Sequence, residues 1–360
     1  MVHLVGCLND AAFNFLGPAT TALAQAGMAQ CVVLIDDPRG AHLKRRFHDK
    51  VELVLAPCAH NIVRRWNGLM STFRSVVSRR SLSAIHVHGL APLVWGGGLV
   101  RSIAPHTTPV YFSPHASPGL GAQPAFSALA APLVRGLLAP QRQRTIVSML
   151  EEAHTLHRIT QAPMQVVESA VPQVYFETRR NETQRPLVIA GSRCDDPRGV
   201  ELFAQLAVLL SGDALRISFH WVGSLGAASV ARLKAANVGY CYTTDDAEIA
   251  SLLSSAWLYV APRNGPPGFP VFIAEAMALG LACAAIGSPE HRDLIRDGET
   301  GFLCNTENEV MQCIGRLVDE PLLRKRIGQA ARREAEIRFS PRRFRDALFS
   351  AYELDVRAQS

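Results

Sequence analysis

The feature that most constrains this chain is a repeated alternation of short apolar runs with longer helical patterns, a rhythm that breaks once and then restarts. Apolar runs at residues 2–7, 31–35, 51–55, 84–87, 110–112, 145–147 and 165–168 are too short for helices. They have the near-continuous hydrophobic character of strands covered on both faces, and the helical stretches between them are long enough to be parallel crossovers. A polar stretch at 177–186, rich in Glu, Arg, Asn and Thr, interrupts the rhythm, which resumes with runs at 187–190, 217–222, 238–242, 257–261, 282–286 and 301–304. The pattern predicts an α/β chain of two Rossmann-like, doubly wound parallel-sheet domains facing a cleft. Their expected bounds are 1–176 and 187–338, with 177–186 as linker and 339–360 as a terminal helical segment. Ligands of such sheets sit beyond the carboxyl ends of the strands, which here means the cleft.

Composition narrows the class. With 360 residues, 48% of them hydrophobic and 19% charged, the chain buries large cores and is not disordered. Thirty-seven basic against 31 acidic side chains give +6, which suits an anionic ligand or membrane surface as readily as nucleic acid. Eight cysteines lie scattered without a C-x-x-C pair, as expected in a reducing cytosol. The amino terminus reads as a first strand rather than a basic leader, and the uncharged stretch 102–134 is broken by prolines, so neither a signal peptide nor a spanning helix is expected. A cytoplasmic protein follows.

The strongest chemical signal is the segment 264–280, a loop of Gly and Pro opening directly into an apolar helix that carries Glu275 and stops at Gly280. Small residues at a helix start let backbone N–H groups approach an anion, and the positive end of the helix favours phosphate there. A carboxylate in the first turns can accept hydrogen bonds from two neighbouring hydroxyls, as in a ribose. The alternative is an ordinary strand-to-helix connection with a surface glutamate. Downstream, 287–303 has the form of a second glycine loop, a short helix and a turn into a strand.

At Phe269 to Glu275, Ala276 to Gly280 and Ile295 to Leu303 the chain resembles the retaining glycosyltransferases of family four, whose fold is the two-Rossmann GT-B. In that family a Glu-x7-Glu motif binds the donor. The resemblance implies that Glu275 holds the nucleotide ribose and that Gly268 and Phe269 lie on the donor. The first glutamate would meet the transferred sugar, but Pro267 stands in its place, and Pro270 replaces a glycine. The resemblance also implies that Arg193 and Arg198, five residues apart after the run 187–190, neutralise the donor diphosphate. Fixed cations facing a growing negative charge lower the barrier to its departure, and Arg in place of the family's Lys adds a planar fork. His115 takes the role of the histidine that contacts the transferred sugar. On the acceptor side the candidates are Asn9, Asp10 and His88, although the family's glycine pair is missing at 8–12. His86 and His88 are read as pointing to different faces of a strand, one of them structural, which disfavours a metal held by the pair. Pro18 either starts a helix or bends one that began earlier.

The stretch 58–82 holds five arginines and no acid, with Ile62, Trp66, Leu69, Phe73 and Val76 at helical spacing. Two readings stay open: a helix whose apolar face packs on its own sheet, or one that rests Arg64, Arg65, Trp66 and Arg74 on an anionic membrane. The basic stretch 321–345 carries no nucleic-acid-binding signature, so no nucleic acid is expected. Phe344, Leu348 and Tyr352 suit a terminal helix that, in the fold of the resemblance, crosses back to the first domain.

The resemblance thus implies a retaining, front-face glycosyltransferase. It would move a sugar from a nucleotide-diphosphate donor to a glycan or lipid-linked acceptor, in cell-surface polysaccharide or glycolipid synthesis, with peripheral membrane contact. No cofactor and no metal are expected. A sugar-nucleotide epimerase or hydrolase, and a degenerate binder without turnover, are the rival readings. A dehydrogenase is disfavoured because no G-x-G-x-x-G follows the first strand.

Overall fold

The structure, a computed structural model, describes residues 1–103, 108–115, 143–158, 160, 162–211, 217–262 and 268–354. Its contacts divide the chain into two units. The first comprises Met1–Ser169 with the C-terminal residues from Phe344 onward, and the second comprises Ala170–Arg343. Residues 177–186, expected as a linker, belong to the second unit. The amides of Asn181 and Thr183 donate to the carbonyls of Ser254 and Ser255, and the Arg180 guanidinium donates to Ala256 O at 2.7 Å. The polar side chains that made this stretch look like a tether share it with backbone that is itself paired.

The first unit is a seven-stranded sheet: β1 (Val2–Val5), β2 (Gln30–Ile35), β3 (Val51–Ala56), β4 (Ile85–His88), β5 (Val110–Ser113), β6 (Gln143–Val147) and β7 (Met164–Val166). Its order is β3-β2-β1-β4-β5-β6-β7, with parallel pairing throughout. One face packs Val2, Leu4, Ile85, Val87 and Phe112 against the helix Ile62–Val77 through Trp66, Leu69, Phe73 and Val76. Trp66 is therefore a core residue, 7% exposed and stacked on Trp95, and not part of a membrane-facing surface. Helical periodicity turns it to the sheet side, away from the exposed Arg64 and Arg74, while Arg65 donates to Ala59 O at 2.9 Å. On the other face lies the helix Asp10–Gln25, capped by Asn9, whose Oδ1 accepts from the Ala12 amide at 2.9 Å. The helix runs on through Pro18, so this proline sits inside a helix already begun. The terminal helix Pro341–Ala351 brings Phe344 onto Phe15 with ring centroids 5.6 Å apart.

The second unit has six parallel strands: β8 (Leu187–Ser192), β9 (Ser218–Gly223), β10 (Gly239–Cys241), β11 (Leu258–Ala261), β12 (Ala282–Ile286) and β13 (Phe302–Cys304). The order is β10-β9-β8-β11-β12-β13, the same permutation as the first six strands of the first unit. In each unit the order reverses beside its first strand, between β1 and β4 and between β8 and β11, and such a reversal opens a crevice at the carboxyl edge. Among the described residues no helix is long and apolar enough to cross a membrane, and all eight cysteines are free.

The helix Val271–Ala278 is buried almost throughout. It ends where Gly280 turns to φ +74°, with Gly280 N–H donating to Met277 O and Leu281 N–H to Ala276 O, each at 2.9 Å. That turn brings the Gly280 carbonyl against the helix Pro321–Arg338 at Gly328, where an added Cβ would run into the oxygen. Gly328→Val is therefore expected to destabilise the protein by ~1–3 kcal/mol through overpacking. The urea unfolding midpoint checks this, and an unchanged midpoint would contradict the close approach.

Candidate functional site

In the second unit, strand β8 hands its last residues to a loop at the carboxyl edge, and Arg193 is the first residue beyond the strand. Glu275 comes from the helix after β11, the strand that adjoins β8 across the point of reversal. The structure brings the two together: Arg193 Nη2 donates to Glu275 Oε1. The same Nη2 lies 2.9 Å from Asp246 Oδ1 and 3.2 Å from the Tyr175 hydroxyl, and the guanidinium sits over the Phe272 ring at 5.3 Å. Every bond thus falls on one nitrogen. Arg193 Nε and Nη1 and Glu275 Oε2 are buried without a hydrogen-bond partner among the described residues. Buried polar atoms left unpaired cost on the order of 1–3 kcal/mol each, so two donors and one acceptor of this cluster lack a counterpart among the described residues.

Two expectations need correction here. Glu275 is not an open carboxylate at a helix start; it is fully buried, on a helix that is itself buried almost throughout. Arg193 is not a free cation, since two carboxylates already balance it. Burial raises the Glu275 pKa from 4.5 to about 7, against the opposing pull of Arg193. The neighbouring carboxylates hold Arg193 firmly charged. Arg198 is different, an exposed guanidinium at the start of the helix Pro197–Ser211. Gly268, at φ +140°, takes a backbone conformation that favours glycine, and Phe269 packs edge-on against Phe339 at 5.4 Å. Pro267 lies outside the described residues.

The first unit gathers a second polar group, of buried imidazoles. His3 on β1 is in register with His86 on β4, and His88 is in register with Ser113 on β5. Residues two apart on a strand share a face, so His86 and His88 point the same way, and the expectation that they diverge was wrong. Their ring centroids are 3.9 Å apart. His3 Nδ1 is 3.0 Å from His88 Nε2, and His88 Nδ1 is 2.7 Å from His115 Nε2, with the His88 and His115 rings stacked. His86 Nδ1 meets the Tyr352 hydroxyl at 2.7 Å and its Nε2 meets Ser113 Oγ at 3.0 Å. Desolvation lowers the His3 and His115 pKa values to about 3 and places His86 and His88 well below the usual range, so all four are neutral. Among the described residues, ring nitrogens of His3, His86 and His88 lie within 4.8 Å of one another, close enough to converge on a metal ion. Of the acceptor-side candidates His88 belongs to this group, Asn9 is the helix cap, and Asp10 approaches His42 at 4.0 Å.

Sequence reading missed Tyr175, Asp246, Phe272 and His3. His3 carried a usable signal, a lone imidazole inside an apolar parallel strand. Asp246 carried none, since an acidic pair before a helical pattern reads as a cap.

Comparison with known proteins places this geometry. Residues 184–320 match the family model described as glycosyl transferases group 1. The phosphatidyl-myo-inositol mannosyltransferase of Mycobacterium tuberculosis is 37% identical over 109 residues, which are 30% of this chain and 26% of that protein. The enzyme of the same name from Mycolicibacterium smegmatis is 34% identical over 92 residues, 25% of this chain and 24% of that one. The matched part is thus about a quarter of the length of these curated relatives. Among solved structures, sucrose-phosphate synthase from Thermosynechococcus elongatus superposes with a TM-score of 0.78 at 15% identity, covering 98% of both chains. Anabaena HepE, solved in complex with UDP, gives 0.78 at 14% identity over 98% of this chain and 99% of that one. The fold is GT-B.

Removing one partner of the buried pair leaves the other charge uncompensated, so Arg193→Met is expected to cost ~3–5 kcal/mol and Glu275→Gln less. The two proteins should also differ in pH response. With its folded pKa raised from 4.5 to about 7, Glu275 holds a proton that the unfolded chain has lost, and this contribution is complete below pH 4.5 and fades as pH rises through 7. The stability of the wild type relative to Glu275→Gln should therefore fall across that window and level off above it. Urea titrations at a series of pH values measure the difference, and a flat difference would show that Glu275 is ionised throughout.

Proposed function

We propose that this chain, whose residues 184–320 are a glycosyl transferases group 1 domain, is a retaining glycosyltransferase that takes its sugar from a nucleotide-diphosphate donor. The observation that carries the reading is the unpaired set in the second unit. Arg193 Nε and Nη1 are donors suited to a phosphate oxygen, and Glu275 Oε2 is an acceptor suited to a ribose hydroxyl. Both lie beyond the carboxyl edge at the reversal between β8 and β11, where nucleotides bind in sheets of this order. Arg198 supplies the positive charge that Arg193, already balanced, does not. Among the described residues no carboxylate is assigned as a covalent nucleophile, so the reading is front-face transfer, with the departing diphosphate helping to deprotonate the acceptor hydroxyl. The guanidinium groups then act where negative charge develops, which lowers the barrier more than it tightens ground-state binding.

The acceptor is a glycan or a lipid-linked alcohol, reached from the cytoplasmic side of a membrane. Mannose as the sugar and phosphatidylinositol as the acceptor are the first pair to test, because the relatives matched over 109 residues bear that activity in their name. One observation favours a second reading, binding without turnover: Pro267 stands where the resemblance implies a sugar-binding carboxylate.

A thermal-shift screen of uracil and guanine nucleotide sugars identifies the donor, since a ligand at 100 times its Kd stabilises by ~2.7 kcal/mol. Release of nucleoside diphosphate is then followed with and without vesicles containing phosphatidylinositol or a cell-lipid extract. Acceptor-dependent release supports transfer, acceptor-independent release makes the protein a hydrolase, and binding without release makes it a binder. Arg198→Ala should leave the unliganded melting temperature unchanged and lower kcat/KM for the donor by ~10²-fold. Near-normal turnover would remove the diphosphate assignment.

A further inference from the structure

The first unit holds three imidazoles in series, and their ends are not equivalent. His88 spends both ring nitrogens inside the series, Nε2 on His3 and Nδ1 on His115. A neutral imidazole has one N–H and one bare nitrogen, so once one ring's proton is placed, the bonds dictate the other two. The far end places it. Gln30 on β2 commits its amide nitrogen to Thr20 O at 2.8 Å, which identifies its other atom, Oε1, as an acceptor. His3 is in register with Val32 on β2, and Gln30, two residues earlier on the same strand, shares its face. Gln30 Oε1 and His3 Nε2 are both buried and both without a hydrogen-bond partner among the described residues. They answer each other only if His3 carries its proton on Nε2. His3 Nδ1 then accepts from His88 Nε2–H, and His88 Nδ1 accepts from His115 Nε2–H.

We propose that Gln30, His3, His88 and His115 form one polarised hydrogen-bond chain that holds the His115 proton on Nε2 and leaves Nδ1 as a bare acceptor, with His88 as the positioning residue. His86 stands outside the chain. Ser113 Oγ donates to Ile146 O at 2.8 Å and so accepts from His86 Nε2–H, while the Tyr352 hydroxyl supplies Nδ1. The backbone at His115, at φ +49°, is held in the left-handed region, a strain that persists only where surrounding contacts fix the residue. The chain runs from the helix-facing core to His115 and keeps each ring neutral because burial penalises any imidazolium along it. The inference rests on the proposed transfer reaction only for what Nδ1 receives, a hydroxyl of the sugar being moved.

Nitrogen NMR of protein labelled in its histidine rings tests the chain near neutral pH, with signals assigned by single His→Gln variants. The expected wild-type spectrum shows His115 protonated on Nε2 alone. Gln30→Met removes the polarising acceptor and leaves every ring in place, and His88→Phe cuts the chain in the middle. In both, His115 is expected to lose its single tautomer, with Nδ1–H appearing. An Nδ1 proton on His115 in the wild type overturns the proposal. So does an unchanged His115 in the folded Gln30→Met variant, or stoichiometric zinc on His3, His86 and His88. If a variant does not fold, the wild-type spectrum still decides. In active protein Gln30→Met should lower kcat about tenfold, the worth of roughly one hydrogen bond, at unchanged donor KM. A wild type that shows the expected spectrum but transfers no sugar removes the proposed function and leaves the chain standing.

Discussion

All neighbouring strands in each unit run parallel, and this constraint shapes everything that follows. Parallel strands all end at the same edge, and both faces of the sheet are covered by the crossover helices. Polar side chains can then be gathered in only two kinds of place, the loops beyond the carboxyl edge or positions on a strand that the covering helices leave room for. The second unit uses the first solution, with Arg193 leaving β8 and Glu275 arriving from the helix after β11. The first unit uses the second, with His3, His86 and His88 facing one helix layer from adjacent strands in register. The first six strands of the first unit repeat the order of the second, so each sheet reverses beside its first strand, the position where sheets of this order open a crevice.

The two groups manage desolvation in opposite ways. The imidazoles escape it by staying neutral, which a histidine can do at little cost, and they satisfy one another through hydrogen bonds of 3.0 and 2.7 Å. Arg193 cannot lose its proton, so it is charge-compensated by Glu275 and Asp246, and the price is a carboxylate whose proton affinity has risen. A buried pair of this kind contributes little net stability, yet it fixes the guanidinium so that Nε and Nη1 keep a defined direction. Such preorganisation is what a phosphate site requires, since donors already aligned do not have to be reordered when charge develops.

Much of the fold was legible in the sequence because short apolar runs and crossover helices leave a strong periodic trace. The strands from 2–7 to 301–304 were all anticipated, and Gly280 was rightly read as a helix stop. The site was legible only in part. Arg193 and Glu275 could be named from the resemblance, but a motif records identity and spacing, not burial, so nothing in it showed that they would pair with each other. Trp66 illustrates the converse: a basic helix with an apolar stripe fits a membrane or a sheet equally well until the sheet beside it is known. The histidines were misread through a slip in the strand period, since residues two apart share a face. Once that period is applied, His3 joins them by strand register, a tertiary fact that the linear sequence does not state.

The unpaired atoms separate what the resemblance implies from what this chain's own geometry supports. A family motif with Pro267 in place of its first carboxylate, taken alone, is as consistent with a lapsed enzyme as with a working one. Here Arg193 Nε, Arg193 Nη1 and Glu275 Oε2 are buried without a hydrogen-bond partner among the described residues, which costs free energy in the unliganded protein. On the proposed reading, a ligand carrying a phosphate and a hydroxyl offsets that cost when it binds. On that reading, Pro267 in place of a carboxylate bears on which sugar is carried rather than on the contacts to the nucleotide.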